Sequence, residues 1–406
     1  MGKRMKAMDA TLSSSAPVLD IDQFTIENIL DPYPLHETIR EHAPVSYVEK
    51  YATYVTGRYD EVKAVLNDWE TFTSTYGAGL ADIRKPDNWR QPGPVVESDP
   101  PDHTGIRKVL TNIISPRVIR GWQEDFATYA ATQADRVVEM GEINGAKDIA
   151  EDFVMTVFPA SLGLQSHPHN MVIVGDFNFN ALGPRNALFE ESNRKLAGIM
   201  DWYEETQGRE LIQPGSFSDQ VYAAEDAGLV EKGVAKGMVR TMLRGGMDTT
   251  ISGIGSSLLL MARHPEIWAS LRENRGRLKM VFEETIRLEA PIQSYFRTTT
   301  RATELGGIAL EPETKIQIFI GAANRDPRKW DDPDRYDINR TMAGHLAFGA
   351  GIHVCIGQLI ARMEAEAVLG ALLDRVERIE LTGEPVYRPL NTLRTLEALP
   401  LRLVPA

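Results

Sequence analysis

The chain has one cysteine among its 406 residues, Cys355. Within one chain, that count allows no disulfide, no multi-cysteine zinc site and no iron–sulfur cluster, and it suits a reducing compartment. Long apolar runs are also missing. A membrane span needs about 18 apolar residues in a row, and the best stretch here, Leu258 to Ala262, stops far short. Residues Met1 to Pro17 carry Lys3, Arg4 and Lys6 and then serines, without the apolar core of a secretory signal. A loosely ordered tail is expected over 1–17. Positive charge is in deficit: 44 Lys and Arg against 57 Asp and Glu leave a net −13, which argues against nucleic acid or an anionic membrane as partner. Low-complexity linkers and internal repeats are absent. These absences point to a cytoplasmic monomer with one domain over 18–406.

Apolar residues make up 43% of the chain, enough for a large core. Helical periodicity is visible over 34–42 and 59–67, with a hairpin between them over 45–56. Asp99-Pro100-Pro101 reads as an N-cap followed by first-turn proline, opening a helix through His103 and Arg107. Helix dominates from there to about 277, with breaks at 115–116, 141–145, 183–184 and 213–217. The proline-free stretch 230–263 predicts one helix of roughly 50 Å at 1.5 Å per residue, ended by His264-Pro265. A further helix is predicted over 278–289, short strands over 296–320, and a last long helix from just after Cys355 to Val376. The fold class is mainly α with small β-sheets. The loops 76–98 and 324–351 are longer than ordinary connections, which marks them as functional.

Cys355 lies in Phe348-Gly-Ala-Gly-Ile-His-Val-Cys-Ile-Gly357. Glycines at 349, 351 and 357 let backbone approach a flat partner closely. The helix that follows offers its N-terminal N–H groups and dipole to a thiolate, and Phe348 is placed to shield the sulfur. An inert buried thiol is the bland alternative. A nucleophile with His353 as base is another, but nothing nearby orients that imidazole.

This loop resembles the haem-binding loop of the haem-thiolate monooxygenases, the cytochrome P-450 superfamily, and the similarity extends over about 20–405. The resemblance implies a triangular helical prism around a buried haem b, with Cys355 as iron ligand. It implies a structural cluster of Glu284, Arg287 and Arg335, the first two sharing a helix face at i and i+3. Gly245-Gly246-Met247-Asp248-Thr249-Thr250 matches the oxygen-activation segment. Two helical glycines cost about 1 kcal/mol each, and close approach of oxygen to Gly245 is a reason to keep them; a helix–helix contact is the alternative. Asp248 and Thr249 match the catalytic acid–alcohol pair that manages protons. His103, Arg107, Arg297 and His353 match positions that bind the haem carboxylates, with Gly245, Phe348 and Gly357 completing the cofactor contacts.

No flavin or nicotinamide segment is recognisable. The resemblance therefore implies electrons from NAD(P)H through a flavin reductase and an iron–sulfur ferredoxin, docking on a face that includes Arg107 and Arg362. Within the superfamily the chain is most similar to the bacterial subgroup oxidising para-substituted benzoates, by 4-methoxybenzoate O-demethylation for example. Asp31-Pro-Tyr-Pro-Leu-His-Glu37, 296–301 and 324–337 carry this likeness. Arg90, Gly93, Val96, Phe179, Leu182, Arg240, Thr241, Gly245 and Tyr295 are the implied substrate contacts. Thr241, Gly245, Asp248 and Thr249 form one helical stripe, with Arg240 and Arg244 beside it. The subgroup has serine at Gly93 and Thr241 and phenylalanine at Leu182 and Tyr295, so the ring substituent is open. Another small aromatic or terpenoid-like substrate, or a peroxide-driven peroxygenase, stands as the alternative; a haem sensor or thiol hydrolase would not need the acid–alcohol pair.

Overall fold

The computed structural model describes residues 15–165 and 167–406. The expected tail lies outside the described residues through position 14. Its last residues join the sheet: the Pro17 carbonyl accepts from Tyr47 N at 3.0 Å, and Leu19 N donates back to Tyr47 O at 2.8 Å.

Sixteen α-helices and four small sheets are described, so the chain is mainly helical, as composition and periodicity indicated. The helices Tyr33–His42, Tyr59–Asn67 and Leu278–Glu289 occupy the segments where apolar periodicity placed them. The hairpin pairs Ser46–Val48 with Thr53–Thr56. It joins a five-stranded sheet through a parallel contact with Lys315–Phe319, which in turn pairs antiparallel with Ser294–Thr299. Among the described residues no helix is long and apolar enough to cross a membrane.

The main apolar core gathers around Pro116–Met140, Asp248–Arg263, Leu278–Glu289 and Gln358–Leu373. Asp248–Arg263 is buried along almost its whole length, and close packing explains its glycines: a Cβ on Gly253 would sit 2.6 Å from the Phe282 ring. A second core, with Val62, Ile316, Trp330 and Leu346, lies under the five-stranded sheet. A small third cluster contains Phe179, Leu182, Leu390 and Leu393.

Four local expectations are corrected. The predicted helix over 230–263 is two helices, Val234–Gly246 and Asp248–Arg263, broken at Met247, whose ψ of −74° departs from helical geometry. Glycine at 245 and 246 weakens the helix at this point. Asp99 does not cap a helix. The helix is Asp102–Ile113, without a side-chain cap, and the Asp99 carboxylate is taken by Thr73 Oγ1 and lies 3.5 Å from His353 Nε2. The last long helix stops at Leu373, and Val376 opens a strand.

The fourth concerns the arginine cluster. Glu284 and Arg287 form a fully buried fork, Nε–Oε2 2.6 Å and Nη2–Oε1 2.9 Å. The third arginine is Arg340, 3.3 Å from Glu284, and Arg335 contributes only its carbonyl. The Arg335 side chain is exposed, in a turn that contains Asp332 at φ +44°. Arg287 also donates to the carbonyls of Asn324 and Pro333, both at 2.8 Å. This ties the irregular segment before the Cys355 loop to the helical core.

Lys315 does the same for the loop 76–98. Its ammonium donates to the carbonyls of Tyr76 at 3.4 Å and of Gly79 and Ala81 at 3.1 Å each. Burial pushes its pKa down to about 8.

Candidate active site

A cavity of about 280 Å³ lies where the three apolar clusters meet. Cys355 and Thr249 both line it. The Cys355 loop is held by a hydrogen bond from Cys355 N to Phe348 O at 2.8 Å. Gly349 and Gly351 have φ of +73° and +68°, where side chains are strained. A Cβ on Gly351 would lie 2.5 Å from the Leu66 carbonyl, so backbone packs on backbone there. Arg362 stacks over the Phe348 ring at 4.5 Å and is fixed by Glu283. Burial raises the pKa of the Cys355 thiol. The N–H groups of Gly357 and Gln358 and the charges of Arg107 and Arg362 act against that rise.

Arg107, Arg297 and His353 line the same cavity, and His103 packs behind, its ring centroid 4.5 Å from that of His353. His353 Nε2 is 3.2 Å from Ser74 Oγ. Burial, then the nearby charges of His353 and Arg107, lower the His103 pKa to about 4. Burial alone would raise the Asp99 carboxyl, but hydrogen bonds from His353 and Thr73 bring it below its ordinary value. This donor set fits a haem with its carboxylates. Among the described residues, the buried His103 Nε2 has no partner and the buried Arg297 makes one hydrogen bond, to the neighbouring Phe296 carbonyl. The sulfur faces the cavity, and a Cβ on Gly245 would meet nothing within 4 Å.

The two adjacent glycines differ. Gly245 borders open cavity, whereas a Cβ on Gly246 would collide with the ring of Phe158, itself part of the cavity wall. Thr249 Oγ1 donates to Gly245 O at 2.8 Å. Asp248 departs from the predicted stripe: it does not line the cavity. Its carboxylate packs where a Cβ on Gly175 would be, and Oδ2 has no hydrogen-bond partner among the described residues. Burial raises its pKa to about 7, moderated by Arg388 and reinforced by Asp176 and Glu151. Arg388 pairs with Asp176 at 3.0 Å and Glu397 at 3.3 Å, and Glu397 pairs with the half-exposed Lys147 at 2.9 Å. A charged path thus connects the surroundings of Asp248 to the surface.

Arg90, Gly93, Val96, Phe179, Leu182, Thr241, Gly245 and Tyr295 all line the cavity. Arg240 does not. It pairs with Glu204 at 2.9 Å and lies over the Tyr203 ring at 4.6 Å, so the position on the wall falls to Arg244. Arg90 is bound to the buried carboxylate of Glu97, which also accepts from Gly93 N at 2.7 Å and Ala78 N at 3.2 Å. Sequence reasoning missed Glu97 and Glu364. Glu364 is a buried cavity residue whose Oε1 has no hydrogen-bond partner among the described residues and whose pKa burial drives well up. Its only signal was an acid on an otherwise apolar helix face with Ile360 and Val368.

A family model described as Cytochrome P450 matches residues 203–393. The chain is 42% identical over 395 residues to a protein named cytochrome p450 CYP199A2 from Rhodopseudomonas palustris, covering 97% of this chain and 96% of the relative. It is 27% identical over 423 residues to 6-deoxyerythronolide B hydroxylase from Saccharopolyspora erythraea, covering 96% and 99%. Among solved structures, cytochrome P450 CYP109Q5 from Chondromyces apiculatus superposes with a TM-score of 0.79 at 28% identity, covering 95% of this chain and 99% of that one. The chain belongs to the cytochrome P450 family and is a P450 monooxygenase.

Proposed function

We propose that this monooxygenase oxidises a small aromatic carboxylate, with O-demethylation of 4-methoxybenzoate as the type reaction. One observation carries this reading. The cavity that holds Cys355 and Thr249 also has aromatic walls in Phe179 and Tyr295, and the guanidinium groups of Arg90 and Arg244 beside the Thr241 hydroxyl. Apolar walls with a few convergent polar groups suit a planar ligand with one anionic end.

Haem would be held through Cys355, with Arg107, Arg297, His103 and His353 toward its carboxylates, and would supply oxygen activation. The rest is work for the chain. Tyr295, Phe179, Leu182 and Val96 orient the ring and exclude water. Thr249 holds a hydroxyl at the Gly245 carbonyl, ready to present a proton to the cavity. Asp248, with a pKa near 7, takes protons from the Arg388–Asp176 side and passes them toward Thr249. The methoxy carbon gains one oxygen atom from O2, the other leaves as water, and two electrons and two protons are consumed. The resulting hemiacetal collapses to phenol and formaldehyde.

The electrons come from NAD(P)H through a flavin reductase and an iron–sulfur ferredoxin. Arg107 turns inward to the Val354 carbonyl, so the docking face falls to Arg362 and the half-exposed Leu359 on the helix after Cys355. The deciding experiment is a spectral titration of the holoenzyme with 4-methoxybenzoate and its para-substituted relatives. A spin-state shift with aryl carboxylates is expected; none with any of them overturns the substrate reading.

A further inference from the structure

Three guanidinium groups, of Arg90, Arg240 and Arg244, lie at or near the cavity, and two are already neutralised. Arg90 is bound by Glu97, which is further fixed by the N–H groups of Gly93 and Ala78. A carboxylate approaching Arg90 would meet the negative charge of Glu97 beside it. Arg240 is outside the cavity wall, bound to Glu204 and Gln207. Arg244 differs from both. It lines the cavity, and among the described residues it forms no ion pair; its one hydrogen bond goes to Asn178 Oδ1, a neutral acceptor on the helix Pro168–Asn180.

A guanidinium enclosed by protein without a counter-charge is costly, because burial removes hydration that nothing replaces. Burial accordingly pulls the Arg244 pKa down; Tyr203 and Glu97, neither of them paired with it, act against that fall, and the positive charges of Arg90 and Arg240 add to it. Asn178 orients the planar fork without cancelling its charge. The other face of the fork is left for a ligand, and the guanidinium is shaped for two parallel bonds to a carboxylate.

We infer that Arg244, oriented by Asn178, is the anion receptor of this cavity and the residue that sets its preference for a carboxylate over a neutral ligand. The inference rests on the aromatic-carboxylate reading of the site. Arg90 then serves as a structural half of the Arg90–Glu97 pair, holding the loop 76–98 over the cavity. Geometry limits the substrate as well. Arg244 and Thr249 line the same cavity of about 280 Å³, so the anion and the oxidised carbon belong to one small molecule.

The test compares holoenzyme binding of 4-methoxybenzoate with 4-methoxybenzamide, its uncharged isostere, by spectral titration. Wild type is expected to favour the carboxylate. Arg244→Gln should lower carboxylate affinity roughly 10- to 100-fold, the worth of hydrogen bonds to a charged group, and erase the preference. Asn178→Asp keeps Arg244 in place but gives it an internal counter-ion, and should cause a loss in the same direction. Arg240→Gln should leave the preference standing. A carboxylate preference that survives both Arg244→Gln and Asn178→Asp overturns the inference while leaving the substrate reading intact. A wild type that responds to no aryl carboxylate overturns the substrate reading, and the inference with it.

Discussion

Asp248 and Thr249 are consecutive in the chain, yet Thr249 faces the cavity and Asp248 faces Gly175 on a neighbouring helix. Successive helical residues point about 100° apart, so Thr249 stays on the cavity side with Thr241 and Gly245 while Asp248 leaves it. The two side chains are thus placed for successive tasks.

Asp248→Asn removes a proton carrier without changing shape. Turnover should fall by roughly 10²- to 10⁴-fold, the usual worth of general acid catalysis, while the substrate dissociation constant holds. In wild type, turnover should decline above pH 7 as the carboxyl ionises, because its pKa is about 7. Steady-state rates from pH 6 to 9 check this; a variant retaining the wild-type rate and profile would remove Asp248 from proton delivery.

The same carboxyl makes a stability prediction. Its folded pKa is raised from 3.8 to about 7, so the folded state binds the proton more tightly than the unfolded chain. The stabilisation is full below pH 3.8 and is lost as pH rises through 7. Asp248→Asn should therefore gain on wild type between pH 5 and pH 8 in thermal midpoint. A difference that is flat across this window contradicts the assignment.

Thr249→Ala leaves the Gly245 carbonyl without its side-chain donor and the cavity without a hydroxyl. Reducing equivalents should still be consumed, with less of them recovered as formaldehyde. Measuring both per molecule of NAD(P)H oxidised tests this, and an unchanged ratio speaks against a role for the hydroxyl.

Arg340→Ala and Arg335→Ala should separate cleanly. Arg340 touches the buried Glu284, so its loss should cost about 1–3 kcal/mol. The exposed Arg335 side chain should matter by less than about 0.5 kcal/mol. Urea midpoints of the two variants decide which arginine completes the cluster.

What could be read in the sequence was local. The Cys355 loop announces itself because its glycines and the following helix lie within ten residues. Leu278–Glu289 was readable because apolar spacing and a breaker on each side suffice. What could not be read depended on distant partners or on a small change of helical phase. Asp99 looks like a cap until Thr73 and His353 claim its carboxylate. The choice between Arg335 and Arg340 depends on which side chain the irregular chain brings to the buried Glu284, and that is Arg340. Arg240 and Arg244 look equivalent in one dimension, but Glu204 and Asn178 give them different fates.

The glycine doublet bears on how this cavity can change over generations. Bulk added at 245 extends straight into the chamber and takes room from whatever occupies it. Bulk added at 246, which also lines the chamber, drives against the Phe158 ring, so the wall itself has to shift. Neighbouring codons therefore offer two routes to a new substrate range, one gradual and one abrupt.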